Sequence, residues 1–306
     1  MSSNNGIAVR LERIRKNYGS KVAVEDLDLE VPRATICGLL GPNGAGKTTT
    51  IRIILDIIGA DSGTVEVLGG PLTPELRDRV GYLPEERGLY PKMQVLDHLV
   101  FLGVIKGTPR PVAAERARGW LKRLDLGDWA DKKVQDLSRG MQQKVQFIGT
   151  VLHQPDLLIL DEPFSGLDPL NVDLLKEIVV EQRSRGATVL FSTHNMEQAE
   201  QICERVVMIK DARKVLDGRL VEVRREAWLA GQRQVRIAFT GDAAFLREPA
   251  LTTKVEDRGT HFDISLSPDV EPQALLEAAM RSGAIIGHFE VSEPSLHDIF
   301  VARARE

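Results

Sequence analysis

Residues able to bind phosphate come first: Gly41-Pro42-Asn43-Gly44-Ala45-Gly46-Lys47-Thr48-Thr49 follows the pattern G-x-x-x-x-G-K-[ST]. In such a run the glycines let backbone N–H groups turn inward around phosphate oxygens, and the helix that follows adds its positive end. Lys47 would reach the β- and γ-phosphates and Thr48 would ligate Mg2+. A second cluster supplies acids, because the apolar run Leu157-Leu158-Ile159-Leu160 ends in Asp161-Glu162. Burial of that strand brings its carboxylates out at the C-terminal edge, where ligands of open α/β sheets bind. Asp161 would hold Mg2+ through water, while Glu162 would accept a proton from, or orient, the water that attacks the γ-phosphate. The third cluster is Leu137-Ser138-Arg139-Gly140-Met141, a Ser-x-Gly turn opening a helix. Ser138 can cap that helix, leaving its positive end and the Gly140 N–H for a γ-phosphate. A glycine-rich turn or an Asp-Glu pair alone is often only structural. Their order along one chain is the stronger signal.

The elements that must position these residues read as an α/β core with a helical insertion. Ile7–Ile14 and Leu27–Val31 alternate apolar and polar residues as half-buried strands do, and Thr35–Leu40 is a short apolar run expected of a central strand. It feeds the phosphate loop, and Thr50–Ile58 has helical character. Strand, glycine loop and helix is the context such a loop requires. Between Tyr90 and His153 the pattern is mainly helical, with apolar three-to-four spacing over Val95–Val104 and Ala113–Leu124 and a third helix starting at Ser138. Strands return at Leu157–Leu160, Thr188–Ser192 and Val206–Ile209, with a helix over Asn195–Glu204. Beyond Asp217-Gly218 a linking helix over Arg219–Ala230 ends near Gly231. Strands follow at Gln234–Phe239, His261–Leu266 and Ile285–Val291, with helices over Pro272–Ser282 and from Pro294. This second part has no catalytic motif.

With 306 residues, 42% hydrophobic and 27% charged, the chain has ample material for a large domain plus a smaller one. A net charge of −4 gives no whole-chain argument for nucleic acid. Cys37 and Cys203 match no zinc spacing and read as reduced core thiols, which fits the cytosol. His261, His288 and His297 lack ligand spacing and read as satisfied or solvated side chains. The start, Met1–Asn5, lacks the basic-then-apolar layout of a signal peptide, and no run approaches the roughly 20 apolar residues that span a bilayer. The expectation is a chain that does not cross a membrane by itself.

Taken together, the phosphate loop, the Ser138-Arg139-Gly140 segment and the acidic strand resemble the ATPase subunits of ABC transporters, over roughly residues 6–220. The resemblance implies further roles. Ser165-Gly166-Leu167-Asp168 looks like the loop that lines the contact between two subunits, and Asp168 would face the nucleotide there. His194 looks like the switch histidine that hydrogen-bonds the γ-phosphate, and Tyr18 like the aromatic that stacks on adenine. Six motifs occur in the family's order. In this family the signature segment at Ser138 and Gly140 cannot reach the nucleotide of its own chain, so a second ATPase subunit, a second copy or a paralogue, completes the site. Phosphoryl transfer needs mainly positioning and charge neutralisation, so a second wall of donors matters.

Two departures mark a branch. Glu85, in Gly81-Tyr82-Leu83-Pro84-Glu85-Glu86-Arg87-Gly88-Leu89-Tyr90-Pro91, stands where the family usually has glutamine; a carboxylate there would ligate Mg2+ more tightly than an amide, or raise its own pKa without the metal. Arg139 stands where glycine is commoner and either points to solvent or adds charge near the partner's phosphates. These segments, with Leu-Ser-Arg-Gly-Met-Gln-Gln-Lys and the tail Pro294–Phe300, resemble the ATPases of bacterial ABC-2-type exporters of the sodium-export and daunorubicin-resistance kind. The resemblance implies a P-loop NTPase fold, an ABC ATPase domain over 1–220 with a helical subdomain at about 90–155, and a small α+β accessory domain over 221–306. It implies ATP and Mg2+, an ABC-2-type membrane permease as partner, no nucleic acid, and a place on the cytoplasmic face of the cell membrane. The loop 85–91 and the helical insertion would form the docking face for the permease, with Leu89 and Tyr90 partly exposed. The accessory domain would bind a small ligand, support the dimer or contact the permease. The alternative is a non-transport ABC ATPase acting on nucleic acid or ribosomes, yet the chain has one phosphate loop, no sustained heptads and no basic tail. A regulatory module without hydrolysis would not need Lys47, Glu162 and His194 intact.

Overall fold

A computed structural model of the chain describes residues 6–86, 88–230 and 233–303. Met1–Asn5, Arg87 and Gly231, on which parts of the sequence reading fall, lie outside these residues. The chain divides into two compact units, Met1–Asp217 and Gly218–Glu306.

The first unit runs β1 (Ile7–Tyr18), β2 (Lys21–Pro32), β3 (Ile36–Leu40), α1 (Lys47–Ile54), β4 (Ser62–Val67), α2 (Pro74–Arg77), β5 (Val80–Leu83), α3 (Val95–Ile105), α4 (Arg110–Arg123), α5 (Arg139–Val151), β6 (Leu157–Asp161), α6 (Pro169–Ser184), β7 (Thr188–Thr193), α7 (Met196–Ile202), β8 (Arg205–Lys210) and β9 (Arg213–Arg219). Its six-stranded sheet has the order β5-β6-β7-β3-β8-β9. The pairs from β5 to β8 are parallel. Every residue of β3, β6 and β7 is buried, as expected of strands covered on both faces. Register brings Leu40 beside Thr193 and Asp161 beside Ser192, so the strand ends carrying the phosphate loop, the acids and His194 share one edge. The order switches direction around β3, which is where ligands of open parallel sheets bind.

An antiparallel sheet, β2-β1-β4, packs its apolar face with α1 and β3 into one core that includes Leu11, Ile14, Leu29, Leu39 and Ile51. The two-residue turn at Gly19-Ser20 closes the β1–β2 hairpin and pairs Tyr18 with Lys21. The insertion is the packed trio α3, α4 and α5. Gly149 lets α5 pack tightly on α3, since a Cβ there would lie 2.5 Å from a Leu102 methyl. Helix α1 begins at Lys47 and ends at Ile54, earlier than the helical pattern to Ile58 suggests.

The second unit contains α8 (Leu220–Leu229), β10 (Gln234–Thr240), β11 (Thr252–Asp257), β12 (Phe262–Leu266), α9 (Pro272–Arg281), β13 (Ile285–Ser292) and α10 (Leu296–Arg303). Its sheet is antiparallel with order β11-β12-β10-β13, a split arrangement in which β12 lies between β10 and β11. Val235, Ile237, Ile264, Leu266, Leu275 and Ala279 form its core. The other face is charged, with Arg236 paired across strands to Asp263 and near Glu290.

Both cysteines are buried and free, and burial pushes the Cys37 thiol up to about 12 and the Cys203 thiol well above its usual value. Among the described residues no helix is long and apolar enough to cross a membrane.

Candidate functional site

The phosphate loop takes its shape from a close approach of backbone. At Gly46, φ is +110°, and a Cβ would lie 2.3 Å from the Ala23 carbonyl oxygen. Only glycine fits there. Helix α1 starts directly after it with no side-chain cap and no acid in its first turn, so its N–H groups and positive end remain for an anion. Lys47 is buried; its ammonium donates to the carbonyls of Gly41 (2.8 Å) and Pro42 (3.2 Å) and lies 3.6 Å from Glu162 Oε1.

These residues floor a cleft of about 430 Å3. It is lined by Asn43, Gly44, Gly46, Lys47, Thr48 and Thr49 of the loop and α1, by Tyr18, Lys21 and Ala23 of the β1–β2 hairpin, and by Glu85 and Glu162. Half of the Tyr18 surface is exposed, and the Lys16 ammonium sits 5.9 Å from its ring centre. The cleft thus combines an aromatic wall, a ring of N–H donors and two carboxylates.

The acids differ sharply in surroundings. Asp161 is fully buried; its Oδ1 accepts from the Ser192 hydroxyl at 2.5 Å, while its Oδ2 has no partner among the described residues. A buried carboxylate oxygen without a donor is expensive, and a hydrated cation supplies what it lacks. Thr48 and Glu85 line the cleft while Asp161 is not among its lining residues, and all three carry oxygens of the kind Mg2+ takes. Glu162 adopts φ +49°, a left-handed conformation that costs on the order of 1–3 kcal/mol for a side chain of this kind. It is held there from both ends: its N–H donates to the Ser192 hydroxyl (3.1 Å) and carbonyl (3.2 Å), and its Oε1 lies 3.0 Å from His194 Nδ1. With that carboxylate accepting from Nδ1–H, the half-exposed His194 keeps Nε2 for a further partner.

Ser138, Gly140 and Asp168 lie outside this cleft. Ser138 caps α5, its hydroxyl accepting from the Met141 N–H at 3.3 Å. Gly140 lies near Leu167, so the signature turn and the loop before α6 are neighbours. Asp168 caps α6, with Oδ1 accepting from the Asn171 N–H at 3.1 Å, and these hydrogen bonds hold its carboxyl below the usual range. Arg139 is exposed.

Sequence reasoning missed Ser192, whose hydroxyl joins the two acids, and Lys21, which adds a cation to the cleft wall. Lys21 is signalled by the hairpin that sets it opposite Tyr18. Ser192 has no local signal and becomes visible only once β6 and β7 are in register.

Residues 24–165 match the family "ABC transporter", and residues 218–304 match "ATP-binding protein DrrA1-3-like, C-terminal domain". The chain is 43% identical over 295 residues to the uncharacterized ABC transporter ATP-binding protein YhaQ of Bacillus subtilis (strain 168), covering 96% of this chain and 97% of that one. It is 30% identical over 304 residues to the linearmycin resistance ATP-binding protein LnrL of the same organism, again covering 96% and 97%. A solved structure titled as the ATP binding subunit of an ABC transporter superposes with a TM-score of 0.69 at 32% identity, covering 73% of this chain and 95% of the other.

Proposed function

The chain belongs to the ABC transporter ATP-binding proteins, ATPases that drive transport, and from that premise we propose that it closes on a second copy or a paralogue around ATP to drive an ABC-2-type export permease. The observation that carries this reading is the split between the two halves of the site. Lys47 and Glu162 line one cleft, with His194 hydrogen-bonded to Glu162, whereas the capped turn at Ser138 and Gly140 is not part of its lining.

In this reading the loop Gly41–Thr49 and the α1 N-terminus hold the β- and γ-phosphates, and Tyr18 stacks on the base. Glu162 is the general base for the attacking water. Lys47 and the His194 Nδ1–H flank its carboxylate, and the His194 Nε2 meets the γ-phosphate. Thr48, Asp161 and Glu85 would hold Mg2+, which would neutralise charge on the phosphate oxygens. Ser138 and Gly140 of the second subunit close the site from the opposite side, with Asp168 at the same contact. The helix end behind Ser138 offers uncapped N–H groups and positive potential to a γ-phosphate arriving from the other subunit.

The permease docks where α3 and the preceding loop leave apolar surface: Tyr90 (51% exposed), Phe101, Val104 and Ile105 (53%) are unusually open for their types. That docking puts the protein on the cytoplasmic face of the membrane. Export, rather than import, is supported by the DrrA1-3-like match of the second unit and by the resistance role in the name of LnrL. We assign residues 1–220 to the ATPase domain and 221–306 to the accessory domain.

Replacing Glu162 by Gln tests the reading. The variant should bind Mg-ATP, turn over slowly and accumulate as a dimer in light scattering. A variant that remains monomeric at saturating Mg-ATP would sink the two-subunit site.

A further inference from the structure

Helix α5 carries more than its capped N-terminus. Gln143 and Gln146 stand three residues apart on one face of it, and both are buried. The Gln143 carboxamide Nε2 donates to the Pro163 carbonyl at 3.3 Å, immediately after Glu162. The Gln146 Nε2 donates to the carbonyls of both Pro84 and Glu86, each at 3.2 Å, and so grips the chain on either side of Glu85. One turn further, the Thr150 hydroxyl reaches the Tyr82 carbonyl at 3.3 Å. Gln146 spends both N–H hydrogens in this way, and its buried Oε1 has no partner among the described residues. The amide thus satisfies two backbone carbonyls at the cost of an unpaired acceptor of its own, which ties its presence to the chain around Glu85.

We propose that Gln143 and Gln146 are positioning residues: through their carboxamides, α5 makes the Ser138 turn, the Glu85 loop and the segment after Glu162 parts of one piece. The inference rests on the ATPase reading above and adds to it a route within one subunit. A phosphate that engages Ser138 displaces or fixes α5, and α5 carries Glu85 and the neighbour of Glu162 with it. Glu85 and Glu162 line the same cleft, so one helix sets the placing of both acids against the signature turn. Gln146 would thus govern the metal side through Glu85, and Gln143 the base through Glu162.

The test uses the full-length protein with Gln146→Leu, Gln146→Glu and Gln143→Leu. Leucine removes the orphaned acceptor but also leaves the Pro84 and Glu86 carbonyls without their donor, so Q146L should fold and melt somewhat below the wild type. It should bind a fluorescent ATP analogue as the wild type does. Its kcat should fall about tenfold and its half-saturating Mg2+ concentration rise by a similar factor, the usual scale for losing a group that orients a ligand. Q146E, of the same shape but without donors, should not rescue either parameter. Q143L should lower kcat at an unchanged Mg2+ requirement. If Q146L folds poorly, Gln146→Met carries the same measurement. Wild-type kcat and Mg2+ dependence in Q146L would overturn the proposal, as would a loss of turnover matched by lost nucleotide binding. A wild-type protein without ATP turnover would instead sink the ATPase reading itself.

Discussion

The Ser192 hydroxyl receives the Glu162 N–H at 3.1 Å and gives its own hydrogen to Asp161 Oδ1. Both acids therefore depend on it, in a buried place where water cannot substitute. Ser192→Ala leaves one Asp161 oxygen without its donor, which should cost about 1–3 kcal/mol of stability. It should also lower ATP turnover by about 10- to 100-fold, as loss of an outer hydrogen bond to a metal-binding carboxylate does. Thermal melts and a phosphate-release assay check both, and unchanged turnover in the folded variant would refute the role. At this scale the sequence is most legible where chemistry is contiguous. Gly41–Thr49 and Asp161-Glu162 announce themselves because neighbours in sequence are neighbours in the site. Ser192, Gln143 and Gln146 do not, because each acts across a strand register or a helix face that only tertiary structure supplies.

Among the elements, α3 and the turn after α5 each hold a histidine that burial keeps neutral. His98 is fully buried, with neither ring nitrogen hydrogen-bonded among the described residues, and desolvation lowers its pKa to about 4; His153 is lowered to about 4 chiefly by burial as well. In the unfolded chain each would titrate near 6.5. The folded form thus binds fewer protons between those values, and stability present above about pH 6.5 is lost as pH falls towards 4. For His98 the loss approaches about 3 kcal/mol by pH 4. Melting curves of wild type and His98→Leu between pH 7 and 4.5 test this: the wild type should lose melting temperature more steeply. Parallel slopes would show that His98 does not contribute. Long or strongly patterned elements were readable from sequence, such as β3, β6 and the three insertion helices. The strands β4 and β11 were not, because they are largely exposed and polar and gain their place by pairing. Helix α6 was also missed although Asp168 caps it and Pro169 opens it; the subunit-contact resemblance of that stretch hid an ordinary helix start.

For the whole molecule, the two units and their separate cores follow from composition and from the change of pattern after Asp217-Gly218, whereas the split antiparallel order of the second sheet has no counterpart in local sequence. The central claim belongs to this scale: one chain holds two incompatible halves of a site, and a second chain unites them. Mixing two inactive variants tests it directly. Lys47→Ala disables the phosphate loop, and Ser138→Arg blocks the signature turn offered to a partner. If the halves combine between subunits, a heterodimer of the two keeps one intact site, with Lys47 from one chain and Ser138 from the other. The account predicts that ATPase activity, absent from each variant alone, reappears on mixing at about a quarter of the wild-type level, the share left when half the dimers carry one of two sites. A mixture no more active than its separate components would contradict it.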